Sequence, residues 1–285
     1  MNFVGAKDDT ARPVDDGRFG KLGSRVVSAL VLAPPVLAAV YVGPTALAAI
    51  VALAALLMAH EWDALCGGGR TRLSVGVLML VLLTAITAAA FRTFEYALLA
   101  MFGGAILVYG GARMSGHKAP FWTSIAALYI GVPAVALIWL RADPELGRAT
   151  VFWLLGVVWA TDTGAFLAGR AIGGQRLAPV ISPNKTWAGL FGGLFCATLA
   201  GLAAALLLKL PGPWPLVFLS GVLALVAQAG DLAESKVKRH FGVKDSGSLI
   251  PGHGGMLDRV DGLLAAAPVV ALLSLLTGGG AVIWR

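Results

Sequence analysis

Apolar residues come in long, nearly uninterrupted runs. Nine can be traced, at about 26–43, 44–60, 73–91, 94–112, 120–140, 150–168, 187–208, 214–231 and 262–283. Each is close to the ~20 residues that cross a hydrocarbon core as a helix. The first two are separated only by Gly43-Pro44, a tight-turn signal. Alanine and glycine recur throughout, which suits close helix packing in lipid. The pattern predicts an all-α, polytopic integral membrane protein with about nine transmembrane helices. Residues 1–24 form a polar tail, 25–149 the N-terminal membrane helices (about five), and 150–285 a C-terminal membrane domain. That last domain carries two polar segments, 162–186 and 231–261.

Composition narrows the class. Of the 285 residues, 58% are hydrophobic and only 13% charged, against about 25% charged in soluble domains. The mean hydropathy is +0.82. A soluble fold of this size cannot hide so much apolar surface. The net charge of +7 does not imply nucleic-acid binding, because cytoplasmic loops of membrane proteins carry such an excess. If successive runs alternate direction, 17 of the 22 Lys and Arg residues fall on one side. The positive-inside rule makes that side cytoplasmic. It places the N-terminus there, together with both polar segments. Cys66 and Cys196 have no CxxC partner, so neither a disulfide framework nor a zinc site is expected. No cleavable signal peptide is evident, since the first twenty residues hold four Asp and no apolar core.

The candidate chemistry sits in the two polar segments. In Asp231-Leu-Ala-Glu234-Ser235-Lys-Val-Lys238, continuation of the eighth helix would put residues 231, 234, 235 and 238 on one face. Neighbouring carboxylates there invite a divalent cation, or else form ordinary helix-end salt bridges. Pro251-Gly-His253-Gly254-Gly255 resembles a backbone nest for an anion, with Lys238, Arg239 and Lys244 nearby to neutralise a polyphosphate. Asp258 and Asp261 are three residues apart at the entry to the ninth run, either as helix caps or as ligands for magnesium together with Asp231. Asp162 interrupts an apolar run, which marks it as functional. Ser182-Pro183-Asn184-Lys185-Thr186 reads as the start of the seventh helix, with Ser182 as its cap, Pro183 in its first turn and Lys185 beside an anion site. No Walker A loop is present. These residues together point to magnesium-dependent phosphoryl or nucleotidyl transfer at the cytoplasmic face.

The run Ser235-x-x-Lys238-Arg239, Lys244-Asp245, His253-Gly254-Gly255, Asp258-Arg259-x-Asp261 resembles the signature of phosphatidate cytidylyltransferases, the CDP-diacylglycerol synthases. Asp162-Thr-Gly-Ala-Phe, Gly169-Arg170 and Ser182-Pro-x-Lys185-Thr186 are also similar to that family, as, less specifically, is Glu61-Trp62. Specific likeness covers roughly the last 130 residues. Ala188 stands where the family often has an acid or amide, and Phe166 where tyrosine is common. No side chain at 188 and no phenol at 166 is therefore required. The resemblance implies an inner-membrane enzyme that converts CTP and phosphatidate to CDP-diacylglycerol and pyrophosphate. It implies Mg²⁺, with a second cation left open, membrane-lipid surroundings, and a homodimer. It assigns Asp231, Asp258 and Asp261 to the metal, and Asp231, Asp258, Lys185, Lys238 and Arg239 to catalysis. Asp162, Ser182, Lys185, Thr186, Ser235, Lys238, Arg239, Lys244, Asp245, His253, Gly254, Gly255 and Arg259 would bind CTP or phosphatidate. Rival readings are an ion transporter, for which no clear internal repeat is seen, and a CTP-dependent lipid-alcohol kinase. A CDP-alcohol phosphotransferase is rejected, because Asp261-Gly262 is followed by Leu-Leu-Ala-Ala and by no later Asp.

Overall fold

The computed structural model describes residues 31–67, 72–247 and 254–277. Within them lie eight helices long and apolar enough to cross a membrane, plus the shorter apolar helix α1 (Val31–Val42). The eight are α2 (Pro44–Leu65), α3 (Arg72–Ala90), α4 (Phe94–Met114), α5 (Pro120–Arg141), α6 (Gly147–Ala171), α7 (Trp187–Leu207), α8 (Trp214–His240) and α9 (Leu257–Leu276). The chain is an all-α polytopic membrane protein. The polar tail, the first residues of the first apolar run and the last of the ninth lie outside the described residues.

Helices run past the apolar windows that predicted them. The sixth continues to Ala171, the eighth to His240, and the ninth already begins at Leu257. Hydropathy reports where hydrocarbon ends, whereas the backbone ladder continues wherever polar side chains can be solvated or paired. Asp162, the Asp231–Lys238 series, Asp258 and Asp261 therefore ride on helices. Such residues are held to a fixed rise and rotation, as loop residues are not.

The Ser182-Pro183 start expected for the seventh helix is incorrect. Residues Ser182–Thr186 form a strand, β2, antiparallel to β1 (Arg176–Ala178), with Arg176 opposite Thr186 and Ala178 opposite Ser182. Proline favours an extended residue before it. The cap is Thr186 instead, whose Oγ1 accepts the Gly189 N–H at 3.0 Å, and α7 begins at Trp187.

Two apolar cores stack against one another. One unites α2, α3, α4 and α5 around Trp62, Leu82, Met101 and Ile130. The other unites α6, α7 and α8 around Val151, Leu154, Ala197 and Leu223. The α9 helix belongs to both, through Leu257 and Leu264 in the first and Ala266, Ala267 and Val270 in the second. Outward-facing Phe102, Ile106, Phe191 and Phe195 remain exposed, as expected where lipid is the solvent.

The α6–α7 contact rests on glycine. A Cβ at Gly192 would lie 2.2 Å from Ala168 Cβ and 2.9 Å from Gly164 O. A Cβ at Gly103, on the outside of α4, would meet nothing within 4 Å. Overpacking a tight helix contact costs about 1–3 kcal/mol. Gly192→Val is expected to lower the melting temperature in detergent by several degrees, with Gly103→Ala unchanged. Equal melting of both variants would contradict this packing.

Candidate active site

The expected α8 face forms. Ser235 Oγ donates to Asp231 Oδ1 at 3.3 Å, and the Lys238 ammonium lies 3.0 Å from Glu234 Oε1. Both pairs are four residues apart, the spacing that one helical face imposes. Across the helix boundary, Lys238 also meets Asp258 Oδ1 on α9 at 2.5 Å. Lys238 and Glu234 are buried. Removing one partner of such a buried pair costs about 3–5 kcal/mol, because the other charge is stranded. An ammonium has three donors, so these two carboxylates leave one for another acceptor.

Asp258 is fully engaged. Its Oδ2 accepts the Ser246 N–H at 3.0 Å, the Ser246 hydroxyl at 2.9 Å and the Gly255 N–H at 2.9 Å. Gly254 has φ +80°, and a Cβ there would lie 2.8 Å from Asp258 Oδ2. Gly254 and Gly255 thus close on the protein's own carboxylate. Of the three residues expected to ligate a metal, Asp258 is the most heavily engaged, with four donors on its two oxygens. Asp231 and Asp261 are less committed. Asp231 takes one donor on each oxygen, Ser235 Oγ on Oδ1 at 3.3 Å and Lys185 on Oδ2 at 2.6 Å, and Asp261 Oδ1 accepts its neighbour Gly262 N–H at 2.7 Å.

Lys185 reaches α8 from β2. Its ammonium also lies 3.4 Å from Gln228 O, and the Gln228 side chain donates to Leu190 O at 3.2 Å. The two polar segments are therefore joined at one end of the helix bundle. Between them lies a cavity of 650 Å³. Its walls carry charge of both signs: Asp162, Asp231, Asp245, Asp258 and Asp261 against Arg170, Lys185, Lys238 and Arg259. Thr186 lines it too, beside Phe166 and Gly169.

Several expected residues lie elsewhere. Arg239 donates from Nε to Ile181 O at 3.2 Å and from Nη1 to Val243 O at 3.1 Å. It latches the hairpin turn to the loop after α8 and does not line the cavity. Lys244 is exposed and Ser182 half-buried, and neither lines the cavity. Ser235 is buried behind Asp231. His253, with Pro251 and Gly252, lies outside the described residues.

Among the described residues, no group of three or more His, Cys, Asp or Glu is arranged to hold a metal unaided. Magnesium does not need one, since it takes one or two carboxylates together with water and substrate phosphates. Asp231 and Asp261, hard oxygen donors on facing helices that line one cavity, fit that demand. Cys66 is buried, and burial, then the nearby Asp63 carboxylate, push its thiol up to about 12, which disfavours the thiolate.

Glu61 is the residue that sequence reasoning missed. It is 2% exposed, and its oxygens accept the N–H groups of Met256 at 2.7 Å and Leu257 at 2.9 Å. The only signal for it was a charge at the end of an apolar run, inside the weakest stretch of family likeness.

Residues 23–277 match the profile of the cytidylyltransferase family. A phosphatidate cytidylyltransferase of Brucella suis is 39% identical over 259 residues, covering 89% of this chain and 93% of that protein. The Brucella abortus protein of the same name matches to the same extent. One from Staphylococcus epidermidis is 41% identical over 154 residues, 54% of this chain and 58% of its own length. Every helix among the described residues lies within 23–277, and the chain belongs to the cytidylyltransferase family.

Proposed function

We propose that this protein transfers the cytidylyl group of CTP to phosphatidate, giving CDP-diacylglycerol and pyrophosphate, at the cytoplasmic face of the membrane. The observation that carries this reading is the mixed-charge cavity between the ends of α6, α8 and α9. It combines cations for a polyphosphate with carboxylates for a divalent ion, where a lipid headgroup and a soluble nucleotide can meet. Family membership and the names of the relatives supply the nucleotide and the lipid.

In this reaction an oxygen of the phosphatidate monoester attacks the α-phosphorus of CTP. The bond from that phosphorus to the bridging oxygen breaks, and pyrophosphate leaves with the electron pair. No covalent enzyme intermediate is needed. Catalysis then rests on holding two anions in line and stabilising the charge that builds on their oxygens. Lys185 and Lys238, each with a donor to spare beyond its protein partners, bind phosphate oxygens. Arg170 and Arg259 extend the positive wall. Asp231 and Asp261 would hold magnesium, which when bound polarises a phosphoryl oxygen. Asp258 keeps Lys238 in place and holds Ser246 and Gly255. To enter a metal shell, its Oδ2 would have to give up bonds to Ser246 and Gly255, and its Oδ1 would compete with the Lys238 ammonium. The 17-to-5 distribution of basic residues supports the cytoplasmic orientation.

The test is purified protein with phosphatidate, CTP labelled at the α-phosphate, and Mg²⁺. Label is expected in CDP-diacylglycerol. Label released as CDP, with a phosphorylated lipid alcohol formed from an added diacylglycerol, would instead make it a kinase. In the same assay Lys185→Ala is expected to lose at least tenfold in turnover while melting as the wild type does. Near-normal turnover would leave Lys185 only the structural role of tying β2 to α8 through Asp231.

The carboxylates separate by their Mg²⁺ dependence. Asp231→Asn and Asp261→Asn are expected to raise the Mg²⁺ concentration for half-maximal rate about tenfold, and excess Mg²⁺ should restore part of the rate. Asp258→Asn is expected to lower the rate at every Mg²⁺ concentration without moving the half-saturation point. A Mg²⁺ shift in Asp258→Asn alone would reverse the assignment.

A further inference from the structure

We propose that Glu61, on α2, is a positioning residue for the active site. Its carboxylate fixes the N-terminus of α9 and, through it, Asp258 and Lys238. The starting point is a general deficit. The first N–H groups of any helix lack intrahelical acceptors. Met256, at the N-cap of α9, offers no side-chain cap. The acceptors come instead from a residue 195 positions earlier. Met256 N–H reaches Glu61 Oε1 at 2.7 Å, and Leu257 N–H reaches Oε2 at 2.9 Å. The carboxylate thereby sits at the positive end of the α9 dipole, which offsets the penalty of burying a charge.

The site is built around that carboxylate. A Cβ on Gly255 would lie 2.6 Å from Glu61 Oε2 and 2.2 Å from Ser246 Oγ, and a Cβ on Gly247 would lie 3.1 Å from Glu61 Oε1. The Ser246 hydroxyl stands between two acids, 2.9 Å from Asp258 Oδ2 and 3.5 Å from Glu61 Oε2. Glu61 and Asp258 therefore grip the same short segment from opposite sides. Asp258 in turn holds the Lys238 ammonium. The next residue on α2 extends the grip to the other helix. Trp62 Nε1 donates to Trp122 O at 2.8 Å, and Trp122 packs against His240 and Phe241 at the end of α8, with ring centres 5.2 and 5.6 Å apart. One turn of α2 thus ties down both helices that supply Lys238 and Asp258. The N-terminal helices are part of the catalytic frame as well as a membrane anchor.

What Glu61 positions rests on the proposed function, but the contact itself can be tested without it. Hydrogen–deuterium exchange on full-length protein in detergent would compare the wild type, Glu61→Gln and Gly255→Ala. Glutamine keeps the size but turns an amide N–H₂ toward one of two backbone donors. Gly255→Ala leaves every other residue's identity intact and drives its Cβ against both Ser246 Oγ and Glu61 Oε2. Both are expected to speed exchange at least tenfold in the peptide spanning 254–258, with α2 to α5 protected as in the wild type. In the cytidylyltransferase assay each is expected to lose about tenfold in turnover. The double variant should lose little more than the worse single one, since residues acting as a unit are non-additive. Wild-type exchange at 254–258 in Gly255→Ala would overturn the proposal, as would additive losses or an exchange increase spread evenly over α2 to α5. Should Glu61→Gln fail to fold, Gly255→Ala alone decides. If the wild type makes no CDP-diacylglycerol, the function fails while the exchange result still stands or falls by itself.

Discussion

A carboxylate held out of water at the end of a membrane helix needs donors, and Asp258 has four. Lys238 supplies one, Ser246 two and Gly255 one. Most of the local architecture follows from meeting that demand. The turn over 254–255 is glycine because a side chain would strike Asp258, Glu61 or Ser246. Lys238 can be buried because Glu234 and Asp258 flank it. The α8 and α9 helices are locked where their charged ends meet, so the 650 Å³ cavity beside them has a rigid wall. Pre-organisation of this kind lets a lysine bind a phosphate without first being gathered in.

The same end of the molecule shows how a membrane enzyme can store charge before substrate arrives. Lys185 is paired with Asp231, and Lys238 with Glu234 and Asp258. A cavity lined by cations alone would repel itself at the membrane edge. One lined by carboxylates alone would need a metal to fold around. Mixing the signs avoids both problems and leaves each ammonium a donor to offer.

Much of this was legible along the chain. Apolar runs of bilayer length located the helices. The spacing of Asp231, Ser235 and Lys238 put them on one face, because an α-helix repeats every 3.6 residues. Asp162 stood out as a charge in an apolar run. One expectation failed. Ser182-Pro183 carries the local marks of a helix start, yet pairing with Arg176–Ala178 drew it into a hairpin and passed the cap to Thr186. Charge alone cannot say which way a side chain turns: Arg239, read as a phosphate ligand, gives two of its donors to Ile181 O and Val243 O and does not line the cavity. The role of Glu61 was not legible for another reason. Its partners lie 195 and 196 residues away, and no local pattern carries a contact of that range.

The central claim is that the cavity between α6, α8 and α9 receives the triphosphate through Lys185 and Lys238. The most direct measurement is an experimental structure of the protein with CTP and a divalent cation bound. The account expects phosphate oxygens within hydrogen-bond distance of both ammonium groups, the ion on Asp231 and Asp261, and Asp258 still bonded to Ser246 and Gly255. A nucleotide seated away from this cavity, with Lys185 and Lys238 bonded only to their present carboxylates, would contradict it.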